Sequence, residues 1–180
     1  MSTIRYWHSL TSPETSHLAK QNPVAILPIA AIEQHGPHLP LSTDLDIGLG
    51  LLANAFGHLP KTFPAWSLPP QCVGASQEHM QFSGTLHLAP DCLSRTIQSY
   101  GLALAQSGVR RLLISNSHGG NRSALNAAAL SLRMEQKQLV VTFNYADIAP
   151  PDALSLPHKE FQHGLHGGAI ETAMMQHLHP

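Results

Sequence analysis

Charge is scarce in this chain. Only 12 % of its 180 residues are Asp, Glu, Lys or Arg, and the formal net charge is -1. No global field therefore recruits nucleic acid or an anionic membrane surface. The only basic pair, Arg110-Arg111, opens an expected strand. Two cysteines, Cys72 and Cys92, are too few for a disulfide framework. No apolar run reaches the roughly 18 residues of a membrane helix. Met1 to Leu10 carries Arg5, Trp7 and His8 and no apolar core of a leader peptide. A soluble cytoplasmic protein is the default expectation. The length suits one domain spanning residues 1–180.

Histidine and loop formers are plentiful instead. There are 13 His against 10 Lys and Arg together, with 14 Pro and 13 Gly. The hydrophobic fraction of 43 % allows a sizeable core. Dense histidine points to metal chemistry only where spacing supports it.

The apolar run 24–32, VAILPIAAI, reads as a strand buried on both faces, with Pro28 implying a bulge or an edge position. Residues 36–43 form a Pro-interrupted loop, and Thr43 or Asp44 caps a helix over 45–57. A short strand is expected near 63–68 and a helix from Asp91 to Gln106, stopped by Gly108. A strand over 109–115, a helix over 122–136 and a strand over 139–145 follow. A Pro-rich connection spans 146–163, and a last helix spans 168–178. Alternating strands and helices predict a three-layer α/β/α sandwich with a mainly parallel central sheet.

Such sheets place their sites at the carboxyl ends of the strands. Glu33 and His35 follow one strand; side chains two apart on extended chain point the same way. His118 lies in SNSHGGN, a strand-to-helix turn whose glycines permit close approach. Glu171, in HGGAIET, falls in the first turn of the last helix. Each has an ordinary structural explanation, and Asp44 alone reads best as a helix cap. Together they offer two histidines and three carboxylates, a set suited to Zn, Mn or Fe more than Mg or Ca. Five ligands suit two ions, with Asp44 the candidate bridge.

Four segments resemble the creatininase (creatinine amidohydrolase) family, in that family's order. LPIAAIEQHGPHLPLSTD is similar to its long signature, EHMQFSGTLHL to its second motif, SNSHGGN to its N-G-H-G-G-N and HGGAIET to its last. The resemblance implies a metal-dependent hydrolase of non-peptide C–N bonds in linear or cyclic amides. It implies Glu33, His35, Asp44, His118 and Glu171 as ligands, with Glu171 also beside the chemistry and His166 an acid/base group. His38, His79, Gly119, Gly120 and Asn121 become candidate substrate contacts. A small-molecule amide is the expected partner, and a homo-oligomer, typically a hexamer, the expected assembly. Ala30, Ser83 and Ser117 depart mildly from the family pattern. Gly120 replaces a carboxylate that creatininase itself carries, which argues against creatinine as substrate. Peptide trimming by the same site, and a shortened inactive relative serving as a binding or assembly subunit, are the alternatives.

Overall fold

The computed structural model describes residues 4–148 and 156–180. Four parallel strands form one sheet in the order β2-β1-β3-β4. They are β1 (Val24–Ile29), β2 (Ala65–Ser67), β3 (Arg111–Asn116) and β4 (Leu139–Asn144). The helices are α1 (Ser12–Ala19), α2 (Thr43–His58), α3 (Pro90–Gln106), α4 (Arg122–Gln136), α5 (His158–His163) and α6 (Ala169–Leu178). Among the described residues, no helix is long and apolar enough to cross a membrane.

Alternation along β1 supplies both faces of the sheet. Ala25, Leu27 and Ile29 join Leu112 and Ile114 of β3 in the larger core, with Leu93, Ile97 and Leu104 of α3 and Leu125, Ala128 and Leu132 of α4. Val24 and Ile26 turn the other way and pack with Leu52 and Phe56 of α2. The α/β/α layering expected from the sequence follows from this division. Helices α3 and α4 approach closely because residue 101 is glycine: a Cβ there would meet the Leu132 methyls at 2.4 and 2.5 Å.

Pro28 corrects one expectation. It forms no bulge, and β1 is an interior strand. Val24, Ile26, Pro28 and Ala30 all direct their backbone polar groups toward the β2 flank. Strand β2 ends at Ser67, so Pro28 sits where no ladder bond is asked of its nitrogen. Its carbonyl still accepts from Gln71 N–H at 2.9 Å.

Three boundaries also differ. Helix α1 carries a capping box in which Glu14 accepts from the Thr11 backbone N–H at 2.7 Å. The sequence reading missed this helix because Leu18 is its one buried residue. Within the connection expected over 146–163, Tyr145–Asp147 forms a 3-10 turn and 158–163 forms α5; residues 149–155 lie outside the described residues. The strand over 24–32 stops at Ile29, opposite the last residue of β3, Asn116.

The carboxyl ends of β1 and β3 are thus level. Ser117 N–H continues the tie, donating to Ile29 O at 2.9 Å. The chain leaving β1 reaches Glu33 and the chain leaving β3 reaches His118 at the same edge of the sheet.

Candidate metal centre

Four separate stretches of chain converge at that edge. Glu33 and His35 come from the loop after β1, Asp44 from the first turn of α2, His118 from the end of β3, and Glu171 from the first turn of α6. Their exposures are 0, 0, 2, 7 and 6 %. Five titratable groups buried together need strong compensation.

Asp44 sits at the middle. Its Oδ1 lies 3.4 Å from His35 Nε2, and its Oδ2 lies 3.2 Å from His118 Nδ1. On the first side Glu171 Oε2 stands 4.0 Å from His35 Nε2. On the second, Glu33 Oε1 stands 3.2 Å from His118 Nδ1. Two donor groups result, each built from one histidine, one further carboxylate and one oxygen of Asp44. The capping role expected for Asp44 is overturned: the helix N-cap is Ser42, whose hydroxyl donates to Asp46 at 2.7 Å. Position 44 is one residue inside the helix, so its side chain points at the sheet edge.

Backbone carbonyls set both ring tautomers. His35 Nδ1–H donates to Glu33 O at 3.1 Å, which leaves Nε2 bare toward Asp44 and Glu171. His118 Nε2–H donates to Ala75 O at 3.0 Å, which turns Nδ1 toward Glu33 and Asp44. Ligating histidines are commonly held by such second hydrogen bonds. Meanwhile both oxygens of Glu33, Nε2 of His35 and Oδ2 of Asp44 are buried without a hydrogen-bond partner. Unpartnered buried lone pairs facing one another are costly unless a cation lies among them. The donor set therefore fits divalent cations. His35, Asp44 and Glu171 form one group within reach of a single ion, and two further groups share Glu33.

Electrostatics agree. Burial alone would lower the His118 pKa, but the carboxylates of Asp44 and Glu33 push it up to about 10. Burial raises Asp44, and the two histidines overcome it and hold its carboxyl below the usual range. Glu171 is raised, by burial first and by Asp44 among the lesser causes. With no cation present the site holds protons instead.

A cavity of about 450 Å³ opens over this cluster. His79, Gly119, Gly120, His118, His166, Asp44 and Glu171 face it. Two expected contacts do not. Asn121 is fully buried, its amide spent on Ala75 N–H, Ala30 O and Asn116 Oδ1, so it ties three loops together beneath the cavity. His38 lies outside the cavity lining and pairs with the Thr172 hydroxyl at 3.0 Å, pinning its loop to α6. His166 stacks between His35 and His79, with ring centroids 4.3 and 4.2 Å apart.

Sequence reasoning missed three residues here. Glu78 lines the cavity with Oε1 3.6 Å from His118 Nε2. A Cβ at residue 120 would lie 2.7 Å from that oxygen and 2.4 Å from Ala75 O, so glycine there makes room for Glu78. Tyr145 donates from its hydroxyl to Glu171 Oε1 at 3.3 Å. Burial and Glu171 push its own pKa far up, so it stays a phenol. Tyr145 follows β4 at the same sheet edge, and the strand-end rule that found His118 also points to it. Arg122 lies at the cavity wall, paired with Asp147 at 2.6 Å.

Fold and site define a class: an α/β/α protein with a buried carboxylate–histidine cluster suited to metal at the ends of parallel strands. The particular family follows from comparison. The profile of the creatininase family, described as creatinine amidohydrolase, matches residues 8–180, and the chain belongs to this family. It is 34 % identical over 176 residues to a mycofactocin precursor peptide peptidase of Mycobacterium ulcerans (strain Agy99), covering 95 % of this chain and 64 % of that protein. It is 29 % identical over 170 residues to a creatinine amidohydrolase of Pseudomonas putida, covering 87 % of this chain and 65 % of that protein. The chain thus spans somewhat under two thirds of the length of these relatives. The solved structure named "Creatininase Mn" superposes with a TM-score of 0.85 at 27 % identity, covering 99 % of this chain and 74 % of that one. A Zn-Zn type creatininase variant superposes at 0.81 with 27 % identity over the same shares.

Proposed function

We propose that the chain is a metal-dependent hydrolase of amide C–N bonds. The observation that carries this reading is the set of buried, unpartnered lone pairs on Glu33, His35 and Asp44, the last of which lines an open cavity. Glu33, Asp44 and His118 would hold one cation; His35, Asp44 and Glu171 a second, with Asp44 bridging. Zn, Mn or Fe suits the donors. Such ions supply Lewis acidity and a water acidic enough to deliver a nucleophile near neutral pH.

The chain's own groups do the rest. His166 presents Nδ1 toward Glu33 Oε1 at 3.5 Å and can move a proton between nucleophile and leaving nitrogen. Burial, with the neighbouring His35 and His79, holds its pKa below the ordinary histidine value, so it is neutral and ready to accept. Tyr145 holds Glu171 in place. His79, Gly119 and Gly120 line the space for the substrate.

For substrate, the relatives are of two kinds by name, a peptide peptidase and an amidohydrolase of a small cyclic amide. The higher identity lies with the peptidases, and a cavity of about 450 Å³ leaves room beyond a small ring. We therefore weight trimming of a modified peptide above hydrolysis of a non-peptide amide, which is the second reading. Homo-oligomeric assembly and a cytoplasmic location, in keeping with the free thiols of Cys72 and Cys92, belong to the same proposal.

The test is metal content of untagged protein purified without chelator, followed by a panel of linear amides, cyclic amides and short peptides. About two ions per chain and turnover of one substrate class are expected. His118→Ala should lose both metal and turnover, whereas His166→Ala should keep metal and lose turnover. An active, metal-free His118→Ala protein, or a wild type that binds no ion, ends the reading and leaves the binding-subunit alternative.

A further inference from the structure

Gln34 lies between two residues of the metal cluster and contributes nothing to it. Its hydrogen bonds run the other way, to the two histidines that wall the cavity. The amide orientation is fixed by backbone: Gly36 N–H donates to Gln34 Oε1 at 3.0 Å. A flipped amide would set its NH2 group against that N–H, donor against donor. The Gln34 amide nitrogen therefore faces His79, 3.1 Å from Nδ1. An NH2 group only donates, so His79 Nδ1 accepts and carries no hydrogen. The ring's hydrogen then sits on Nε2, which faces Glu33 Oε1 at 3.7 Å.

The backbone of the same residue fixes the other ring. Gln34 O lies 2.6 Å from His166 Nε2. A bare nitrogen at that distance would oppose two lone pairs, so Nε2 carries the hydrogen and donates. The Gln34 amide nitrogen is also 2.9 Å from this Nε2, but a nitrogen that already donates cannot accept, so only its His79 contact is a hydrogen bond. His166 is left with a bare Nδ1 facing the cluster at Glu33.

We infer that Gln34 is a positioning residue that holds His79 and His166 both as Nε2–H tautomers but turned opposite ways, so that one presents its N–H and the other its bare nitrogen, and one stacked pair offers a donor and an acceptor to the same substrate. His79 Nε2–H can donate to a substrate carbonyl or to a departing group, and His166 Nδ1 can accept. The stack, at 4.2 Å and 18° between ring planes, keeps the two nitrogens in fixed relation. The catalytic use of the pair rests on the hydrolase reading; the tautomers rest on the hydrogen bonds alone.

The experiment separates the two. Long-range nitrogen–proton NMR of the Zn2+-loaded protein, labelled at histidine, reads each ring's tautomer directly. In the wild type His79 should be Nε2–H with a bare Nδ1. Gln34→Glu keeps the side chain's size, removes the amide donor and should shift His79 to the Nδ1–H form, with zinc content unchanged. Where that variant fails to fold or loses zinc, the uncharged Gln34→Met should leave His79 a mixture of tautomers. On any substrate the wild type turns over, kcat should fall on the order of tenfold, the worth of one hydrogen bond, with KM nearly constant. A wild-type His79 in the Nδ1–H form, or a tautomer indifferent to both substitutions, overturns the inference. A normal tautomer pattern in a protein that hydrolyses nothing would instead count against the proposed function.

Discussion

At the scale of single residues, the centre is a competition between protons and metal. His118 is charged in the metal-free protein because Asp44 and Glu33 outweigh the cost of its burial and raise its pKa to about 10. A histidine raised on folding stabilises the fold fully below its unfolded value of about 6.5, and that contribution fades as pH rises through the folded value. A metal held by His118 would need the same Nδ1 lone pair, so its binding would expel the proton. Zn2+ affinity should therefore climb steadily from about pH 6 to about pH 8, whereas the contribution of His118 to the stability of metal-free protein shrinks as pH rises above its unfolded value within that span. Calorimetric titration in buffers of differing ionisation heat would count the released protons; proton release that is absent, or affinity independent of pH, contradicts the assignment. Gly167 makes a second case. Its φ is +63° and a Cβ would stand 3.2 Å from His35 O, while its N–H donates to Glu171 at 2.6 Å. Gly167→Ala should cost about 1–2 kcal/mol for the left-handed backbone and weaken Zn2+ binding through Glu171. Denaturant melts with and without zinc would show both effects.

Elements carry the site by where they end. The apolar run of β1, the hydrophobic stretch of β3 and the glycine turn after His118 were readable because strand ends and turn residues have direct sequence signatures. Glu33, His35 and His118 therefore fell at the expected edge, whereas Glu171 was legible only as an acidic residue in the first turn of a helix. Asp44 taken alone resembles a cap, as an acidic residue at a helix start does, and the sequence marks it as a ligand only through the whole donor set; packing shows that Ser42 precedes the helix and Asp44 points inward. Glu78 and Gln34 were harder, because their roles depend on loops folding back across the strand ends, and no local period encodes that. Helix α4 offers a test that leaves the site alone. It ends at Lys137 in the left-handed conformation, φ 52°, on the surface. Glycine has no Cβ strain there, so Lys137→Gly should stabilise the fold by about 0.5–1 kcal/mol without altering zinc affinity. Equal stability in chemical denaturation would mean that the neighbouring contacts already offset the strain.

Across the whole molecule, the centre joins parts of the chain that the hydrophobic core joins less firmly. The larger core unites β1, β3, α3 and α4, and the smaller one adds α2. Helix α6 stands apart: its buried residues are Glu171 and Met175, and Gly50 of α2 lets Leu178 pack close. In its first turn Glu171 accepts hydrogen bonds from Gly167 N–H and from the Tyr145 hydroxyl, both at the site. A cation shared by Asp44 and Glu171 would tie α6 to α2 across the cavity floor. Binding to the native state alone adds about 2.7 kcal/mol at a hundredfold excess over the dissociation constant. Part of that gain should appear locally, because weakly buttressed elements open before the core. Chelation should thus lower the melting temperature and speed amide hydrogen exchange most in 167–178, while β1 and β3 keep their protection. Exchange followed by mass spectrometry with and without chelator measures this. Uniform acceleration over the whole chain would mean that the metal stabilises the fold only globally, and unchanged exchange in α6 would remove Glu171 from the ligand set.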